Sequence, residues 1–326
     1  MKKLFLSVFT FMLVLSFVGC SSGNSTRSNN SSSNSSVGES DTPSNVTISH
    51  FLGEVEVPYD PQRIVTLDLA ALDVIDALGL GDRVVGMPKQ SQVEYLMSYN
   101  NNEDVAHLGS LFEVDMEKLV SLKPDIIFIG GRLSDEYENI SKIAPTVLFR
   151  ADNEAGYIKS LDENLNEIAS IFGKEGDVKD IINDFNTRID KIKEEAADKT
   201  AIVGLVTSSS FNTLGKTGRC SIISNEAGFE NIADDIDSTH GDTASFELLV
   251  DKNPNYIFVL DRDSAINAEG AQLAEQVMDN ELVAKTDAHK SDQIIYLTPD
   301  AWHLAEGGIT ATDIMIKDLE KGILGE

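Results

Sequence analysis

The chain has 326 residues, 26 of them basic and 54 acidic, for a formal net charge of -28. So strong an acidic balance excludes nucleic acid as a partner. It also repels anions at long range, so an anionic ligand would need a local basic pocket to overcome the field of the whole chain.

Met1-Lys2-Lys3 is followed by an apolar run over residues 4–18 and then by Gly19-Cys20. A charged start, an apolar stretch and a small residue before a cysteine make an export signal. About 15 apolar residues are too few for a bilayer-spanning helix. The block Phe17-Val18-Gly19-Cys20 resembles the lipobox of bacterial lipoproteins, with Phe17 where that box usually carries leucine. The resemblance implies cleavage after Gly19, acyl chains on Cys20, and attachment to the extracytoplasmic face of the cell membrane through lipid alone. Each buried methylene contributes about 0.8 kcal/mol, so two or three chains hold firmly. The following stretch is dominated by Ser, Asn, Gly, Thr, Asp and Pro. It has no apolar period and cannot form a core, so it is expected to be a flexible tether. Its coil would span roughly 25–30 Å, enough for a folded body to reach a partner in the same membrane.

About 280 residues remain, enough for two domains. Residues 63–68 read as a short strand, 69–78 as a helix ended by Gly79, and 84–87 and 104–109 as further strands. Residues 115–122 are an expected helix with Asp115 as its N-cap, leading through Pro124 into the fully apolar strand 126–129. A helix over 134–143 and a strand over 146–149 complete a strand–helix alternation. Helices follow over 156–172 and 175–198. The second of these has an apolar stripe and would be about 36 Å long. The pattern then restarts, with strands at 201–206, 256–260 and 293–297 and helices at 221–227, 245–250 (N-cap Ser245), 280–284 and 310–319. The phrase Leu119-Val-Ser-Leu-Lys-Pro-Asp-Ile-Ile-Phe-Ile129 is echoed by Leu249-Val-Asp-Lys-Asn-Pro-Asn-Tyr-Ile-Phe-Val259. The expected fold is therefore α/β, with two parallel-sheet lobes joined by one long helix and a ligand cleft between them. In chain order the divisions are a signal peptide (1–19), lipidated cysteine and tether (20–50), first lobe (51–173), connecting helix (174–198) and second lobe (199–326). Ligands of such sheets sit at the carboxyl ends of the strands, which places the site in the cleft.

Arg132 follows strand 126–129 and Arg262 follows strand 256–260, at matching places in the two halves. Arg219 lies in the glycine-rich stretch 212–219, before a helix. Singly, each could be a surface arginine paired to one of many acids. Together they suit a multiply charged anion bound through forked, charge-assisted hydrogen bonds. Gly215-Lys216-Thr217 is not a phosphate loop, because Ser210 stands where that motif needs its first glycine. The five histidines match no zinc spacing, and only His240 and His303 stand in loops expected to reach the cleft. Trp302 is the only tryptophan; packing and ligand stacking are both open for it. With Cys20 acylated, Cys220 has no partner and reads as a buried, inert thiol. There is no GxSxG or HExxH and no activated nucleophile, so an enzyme is not expected.

From Val55 to Leu319 the chain resembles the catecholate siderophore-binding lipoproteins of iron ABC importers, nearest the enterochelin and petrobactin subgroup. The phrases that carry this are Val65-Thr-Leu-Asp-Leu-Ala-Ala-Leu-Asp73, Val84-Val-Gly-Met-Pro-Lys89, Pro124-Asp-Ile-Ile-Phe-Ile-Gly-Gly-Arg132, Ile143-Ala-Pro-Thr146, Thr239-His-Gly241, Asn253-Pro254 with Tyr256-Ile-Phe-Val-Leu-Asp-Arg262, and Ile295-Tyr-Leu-Thr-Pro299 with Trp302. The resemblance implies a rigid monomer with little closure, no cofactor, and an iron(III)–siderophore complex as cargo. It puts a basic triad on Arg132, Arg219 and Arg262, with Lys89 adding positive potential. Where a complex has only two catecholates, the family completes the iron shell with a histidine and a tyrosine. These positions fall on His240 and on His303, which stands in the tyrosine's place. A further departure is Cys220, where relatives carry an aromatic residue. One acidic residue per lobe docks to arginines of the ABC permease dimer, and Glu117 and Glu247 take those places. Without the resemblance they read as ordinary first-turn acids. Haem, cobalamin, a hydroxamate siderophore or a bare metal ion are the alternative cargoes. The first three are less anionic and need fewer arginines, and the last would want converging His and carboxylates.

Overall fold

The computed structural model describes residues 43–152, 155–233, 242–243 and 246–325. The expected signal peptide, Cys20, His240 and Ser245 lie outside the described residues. The strands are β1 (Asn45–His50), β2 (Gly53–Pro58), β3 (Ile64–Thr66), β4 (Val84–Met87), β5 (Ala106–His107), β6 (Ile126–Gly130), β7 (Thr146–Phe149), β8 (Thr200–Thr207), β9 (Ser210–Leu214), β10 (Glu230–Asn231), β11 (Asp242–Thr243), β12 (Tyr256–Asp261) and β13 (Ile294–Leu297).

One sheet has the order β5-β4-β3-β6-β7, with all its pairs parallel. Its strands are apolar on both sides because both sides are covered. Ile64, Ile126 and Phe128 point into one core cluster, and Val65, Ile127 and Ile129 into another. The second sheet has the order β11-β9-β8-β12-β13, with β10 also pairing β8. It is mixed rather than parallel throughout. β9 runs antiparallel to β8 and β11 antiparallel to β9, while β12 is parallel to β8 and β13. The stretch read as a glycine-rich loop thus begins as a return strand.

The inner faces of the two sheets share one core. Ala201, Val203, Leu205, Phe258 and Leu260 belong to the same cluster as Ile64 and Phe128, through the helices Tyr157–Phe172, Glu175–Ala196 and Ile309–Ile323. The helix Glu175–Ala196 turns Val178, Ile182, Phe185, Ile189 and Ile192 inward at a spacing near 3.6 and leaves its charges outside.

The C-terminal helix Ile309–Ile323, expected by chain order to belong to the second lobe, is clamped to first-lobe elements. Asp73, fully buried, accepts from the Thr310 and Ala311 backbone N–H groups at 2.9 and 2.8 Å and from the Tyr95 hydroxyl at 2.8 Å. A Cβ on Gly308 would meet an Asp73 carboxylate oxygen at 2.2 Å, so only glycine admits this contact. Arg188 of the connecting helix grips Glu320 with two parallel bonds of 2.8 and 2.7 Å and Asp313 with a third of 2.6 Å. The Tyr157 hydroxyl meets Thr312 Oγ1 at 2.8 Å.

β1 pairs antiparallel with β2, so residues 45–50, expected to be tether, belong to the folded body. Ile48 and Val57 of this hairpin are buried, which is what holds it to the body. The expected helix 134–143 is a 3₁₀ turn, Gly131–Glu136, followed by the short helix Tyr137–Ile140.

Candidate functional site

β6 ends at Gly130, and Arg132 follows in the 3₁₀ turn Gly131–Glu136. Asp68 caps the helix Leu69–Ala77, accepting from the Ala70 and Ala71 N–H groups at 3.0 Å each. Its carboxylate lies directly over Gly130, where a Cβ would stand 2.0 Å from Oδ2. Glycine at 130 therefore lets a buried carboxylate sit under the strand end that carries Arg132. Burial pushes the Asp68 carboxyl up from its ordinary range, and its two backbone bonds and Arg132 oppose that rise.

Arg132 Nη2 donates to the His303 carbonyl at 3.3 Å. Arg219 Nη1 donates to the Trp302 and His303 carbonyls at 2.9 and 3.1 Å and to Glu306 Oε2 at 3.3 Å. Guanidinium groups from the two lobes therefore meet on one carbonyl oxygen. Burial lowers the Arg132 pKa and the neighbouring Arg219 charge adds to that, against Asp68 and Glu306, which raise it. Arg219 Nε is buried and without a hydrogen-bond partner. A guanidinium has five N–H donors, so both groups keep unused ones.

Arg262 is not part of this meeting point in its recorded contacts. It opens the helix Arg262–Ala265 at the end of β12. Its Nη1 reaches Thr207 Oγ1 at 3.3 Å and Asp263 Oδ1 at 3.4 Å, and the side chain is one-third exposed.

Glu306 was not anticipated. It is a largely buried carboxylate against Arg219, with Oε1 unpartnered. Burial raises its pKa, while Arg219, the Cys220 backbone N–H and Arg132 pull it back. The only sequence signal was an acid standing inside Leu304-Ala-Glu-Gly-Gly308, next to the expected cleft residue His303. Phe112, also not anticipated, lies 5.8 Å from the Arg132 guanidinium carbon, measured to its ring centroid.

Trp302 is turned into the core. It is fully buried, and its Nε1–H donates to Asp318 Oδ2 at 2.8 Å, which pins the short helix Pro299–His303 to the C-terminal helix. Of the two roles open for it, the buried ring and this bond support packing. His303 is 7 % exposed, and the contact it makes with the arginines is through its carbonyl. Lys89 follows β4 and places its ammonium on the Asn102 carbonyl at 2.6 Å. Cys220 is buried, and desolvation pushes its thiol pKa up, as for an inert thiol. Glu117 and Glu247 are exposed, each in the first turn of the helices Met116–Leu122 and Phe246–Lys252. Among the described residues no group of three or more His, Cys, Asp or Glu could hold a metal ion.

A profile of the periplasmic binding protein family matches residues 64–301. The petrobactin-binding protein YclQ of Bacillus subtilis is 34 % identical over 296 residues, covering 89 % of this chain and 92 % of the relative. Its crystal structure superimposes with a TM-score of 0.81 over 86 % of this chain and 99 % of that one. The ferric-anguibactin-binding protein FatB of Vibrio anguillarum is 28 % identical, covering 85 % and 87 % of the two chains. The periplasmic catecholate-siderophore binding protein VctP of Vibrio cholerae has a crystal structure 32 % identical at a TM-score of 0.79, covering 85 % and 99 %. On this match in sequence and in fold, the chain belongs to the periplasmic binding protein family.

Proposed function

We propose that the protein is an extracytoplasmic substrate-binding lipoprotein that captures a ferric catecholate siderophore and delivers it to an ABC permease. The observation that carries this is the convergence of Arg132 and Arg219, from different lobes, on the His303 carbonyl. A ferric tris-catecholate is a trianion, and fork-shaped donors bind clustered anionic oxygens strongly. Relatives named for petrobactin, anguibactin and catecholate siderophores support the same cargo class. In this reading Arg262 completes the basic wall, Lys89 adds potential from the first lobe, and the cargo brings its own iron. His240 and His303 are the residues offered to iron when the complex carries only two catecholates. The protein acts as a monomer, without a cofactor and without catalysis. Cys20 anchors it through lipid, and Glu117 and Glu247 dock it to the permease.

Quenching of intrinsic fluorescence by a panel of ferric siderophores tests the cargo, with haem and cobalamin alongside. A ferric catecholate is expected to saturate one site per chain with sub-micromolar affinity. Absence of saturable quenching by every ferric catecholate, with tight binding of haem or cobalamin instead, would overturn the reading.

A further inference from the structure

Phe112 is 71 % exposed, the most exposed of the large apolar side chains described. Its position is built rather than loose. Gly109 bridges Val114 and has φ +101°, and a Cβ there would meet the Glu113 carbonyl oxygen at 2.4 Å. Ser110 N–H donates to the Glu113 carbonyl at 2.9 Å, and Ser110 Oγ accepts from the Phe112 and Glu113 N–H groups at 3.2 and 3.0 Å. Leu108 and Leu111 are buried and anchor the turn from below. The turn thus sends Leu111 inward and holds Phe112 out in water.

The turn follows β5 at the carboxyl edge of the first sheet, the edge at which β6 delivers Arg132. The 5.8 Å separation brings the guanidinium within cation–π reach of the ring. An aromatic face and a multidentate cation therefore share one surface. The ligand chemistry that matches this pair is itself a ring bearing anionic oxygens.

We propose that Phe112 is a ligand-binding residue, an aromatic wall that packs on a catechol ring of the iron complex while Arg132 pairs with its oxygens. The proposal rests on the siderophore-binding reading and names a specificity element within it. An aromatic contact discriminates ring-bearing from aliphatic chelates, which arginines alone would not do. Packing of the electron-rich catecholate on phenylalanine would be edge-to-face or offset.

The test is fluorescence titration of the full lipid-free chain and of Phe112→Ala, Phe112→Leu and Phe112→Trp with the ferric complex of a tris-catecholamide. Radioiron uptake in cells is measured in parallel. Because the side chain is exposed, all three variants should unfold at the wild-type temperature. Phe112→Ala is expected to weaken binding about 10-fold and Phe112→Leu about 5-fold, with Phe112→Trp equal to or tighter than wild type. Wild-type binding together with Phe112→Ala within about twofold of it would overturn the aromatic wall alone. So would a leucine variant that matches the tryptophan one. Unchanged binding with lost uptake would assign the residue to the permease instead, and overturns the proposal as well. A wild-type chain that binds no ferric catecholate overturns this inference and the functional reading together.

Discussion

Glu306 Oε2 lies 3.3 Å from Arg219 Nη1 while Oε1 has no partner, so the carboxylate is a buried charge only half satisfied. The charged and titratable groups that act on it are Arg219, Arg132, the Tyr157 phenol and the Cys220 thiol. Burial raises its folded pKa above the ordinary 4.5. The folded state then keeps the proton at pH values where the unfolded chain has lost it. Its contribution to stability is therefore fully present below 4.5 and is lost as pH rises through the folded value. A trianionic cargo on the same arginines would compete with this carboxylate and raise its pKa further. Binding at a pH above the folded value is expected to take up a proton. Calorimetric titration in two buffers of different ionisation heat would show it, and Glu306→Gln should abolish the uptake and tighten binding by roughly three- to tenfold. Unchanged proton stoichiometry in Glu306→Gln would remove this carboxylate from the binding equilibrium. The strand-end arginines were legible because the two halves of the sequence repeat one phrase. Glu306 was not, because its partner Arg219 lies 87 residues away and only the fold brings them together.

At the scale of elements, the strands buried on both faces announced themselves as continuous apolar runs, and Asp115 was readable as a cap, accepting from Lys118 N–H at 3.0 Å. What stayed hidden was the reversal between β8 and β9. Its central residues Ser208 and Ser209 have φ of +50° and +59°, the geometry of a mirror-image hairpin turn. That turn is usually written Asn-Gly, and two serines give no signal for it. The glycines further on, at 215 and 218, made residues 212–219 read as one glycine-rich stretch and hid the end of β9. Ser208 pays for its conformation with a 2.6 Å bond from its N–H to Asp263 Oδ2, the carboxylate whose other oxygen faces Arg262. Ser209 is exposed and the structure records no such bond for it. Ser209→Gly should stabilise the fold by about 0.5–1 kcal/mol by relieving the left-handed strain. A shift of the urea midpoint upward with an unchanged slope checks this, and a downward shift would mean that the strain is absorbed elsewhere. The β1–β2 hairpin was hidden differently, since its first strand, Asn-Val-Thr-Ile-Ser-His, continues the polar composition of the tether.

For the whole molecule, the shared inner core and the clamped C-terminal helix limit how far the lobes can part without breaking buried contacts. Two packed layers that share side chains behave as one body rather than as a hinge. Cargo release would then need force from the permease, applied to both lobes. The helices Met116–Leu122 and Phe246–Lys252 each feed, through Pro124 and Pro254, the strand that precedes Arg132 or Arg262. A helix that turns back into the strand it feeds has its first turn beside that strand's carboxyl end. Glu117 and Glu247 therefore stand on the same rim as the two arginines, one per lobe, and both are exposed. Permease arginines pulling on both rims would strain the arginine cluster on which the cargo is proposed to sit. Single exposed ion pairs are worth about 0.2–1 kcal/mol, so one alone is a weak handle. The double variant Glu117→Ala with Glu247→Ala should bind the ferric siderophore with the wild-type constant, since neither residue touches the arginines. It should nevertheless lose radioiron uptake in cells, with each single variant falling between. Normal uptake by the double variant would rule out this docking mode, and weakened binding in the titration would mean that the two acids act on the cleft rather than on the transporter.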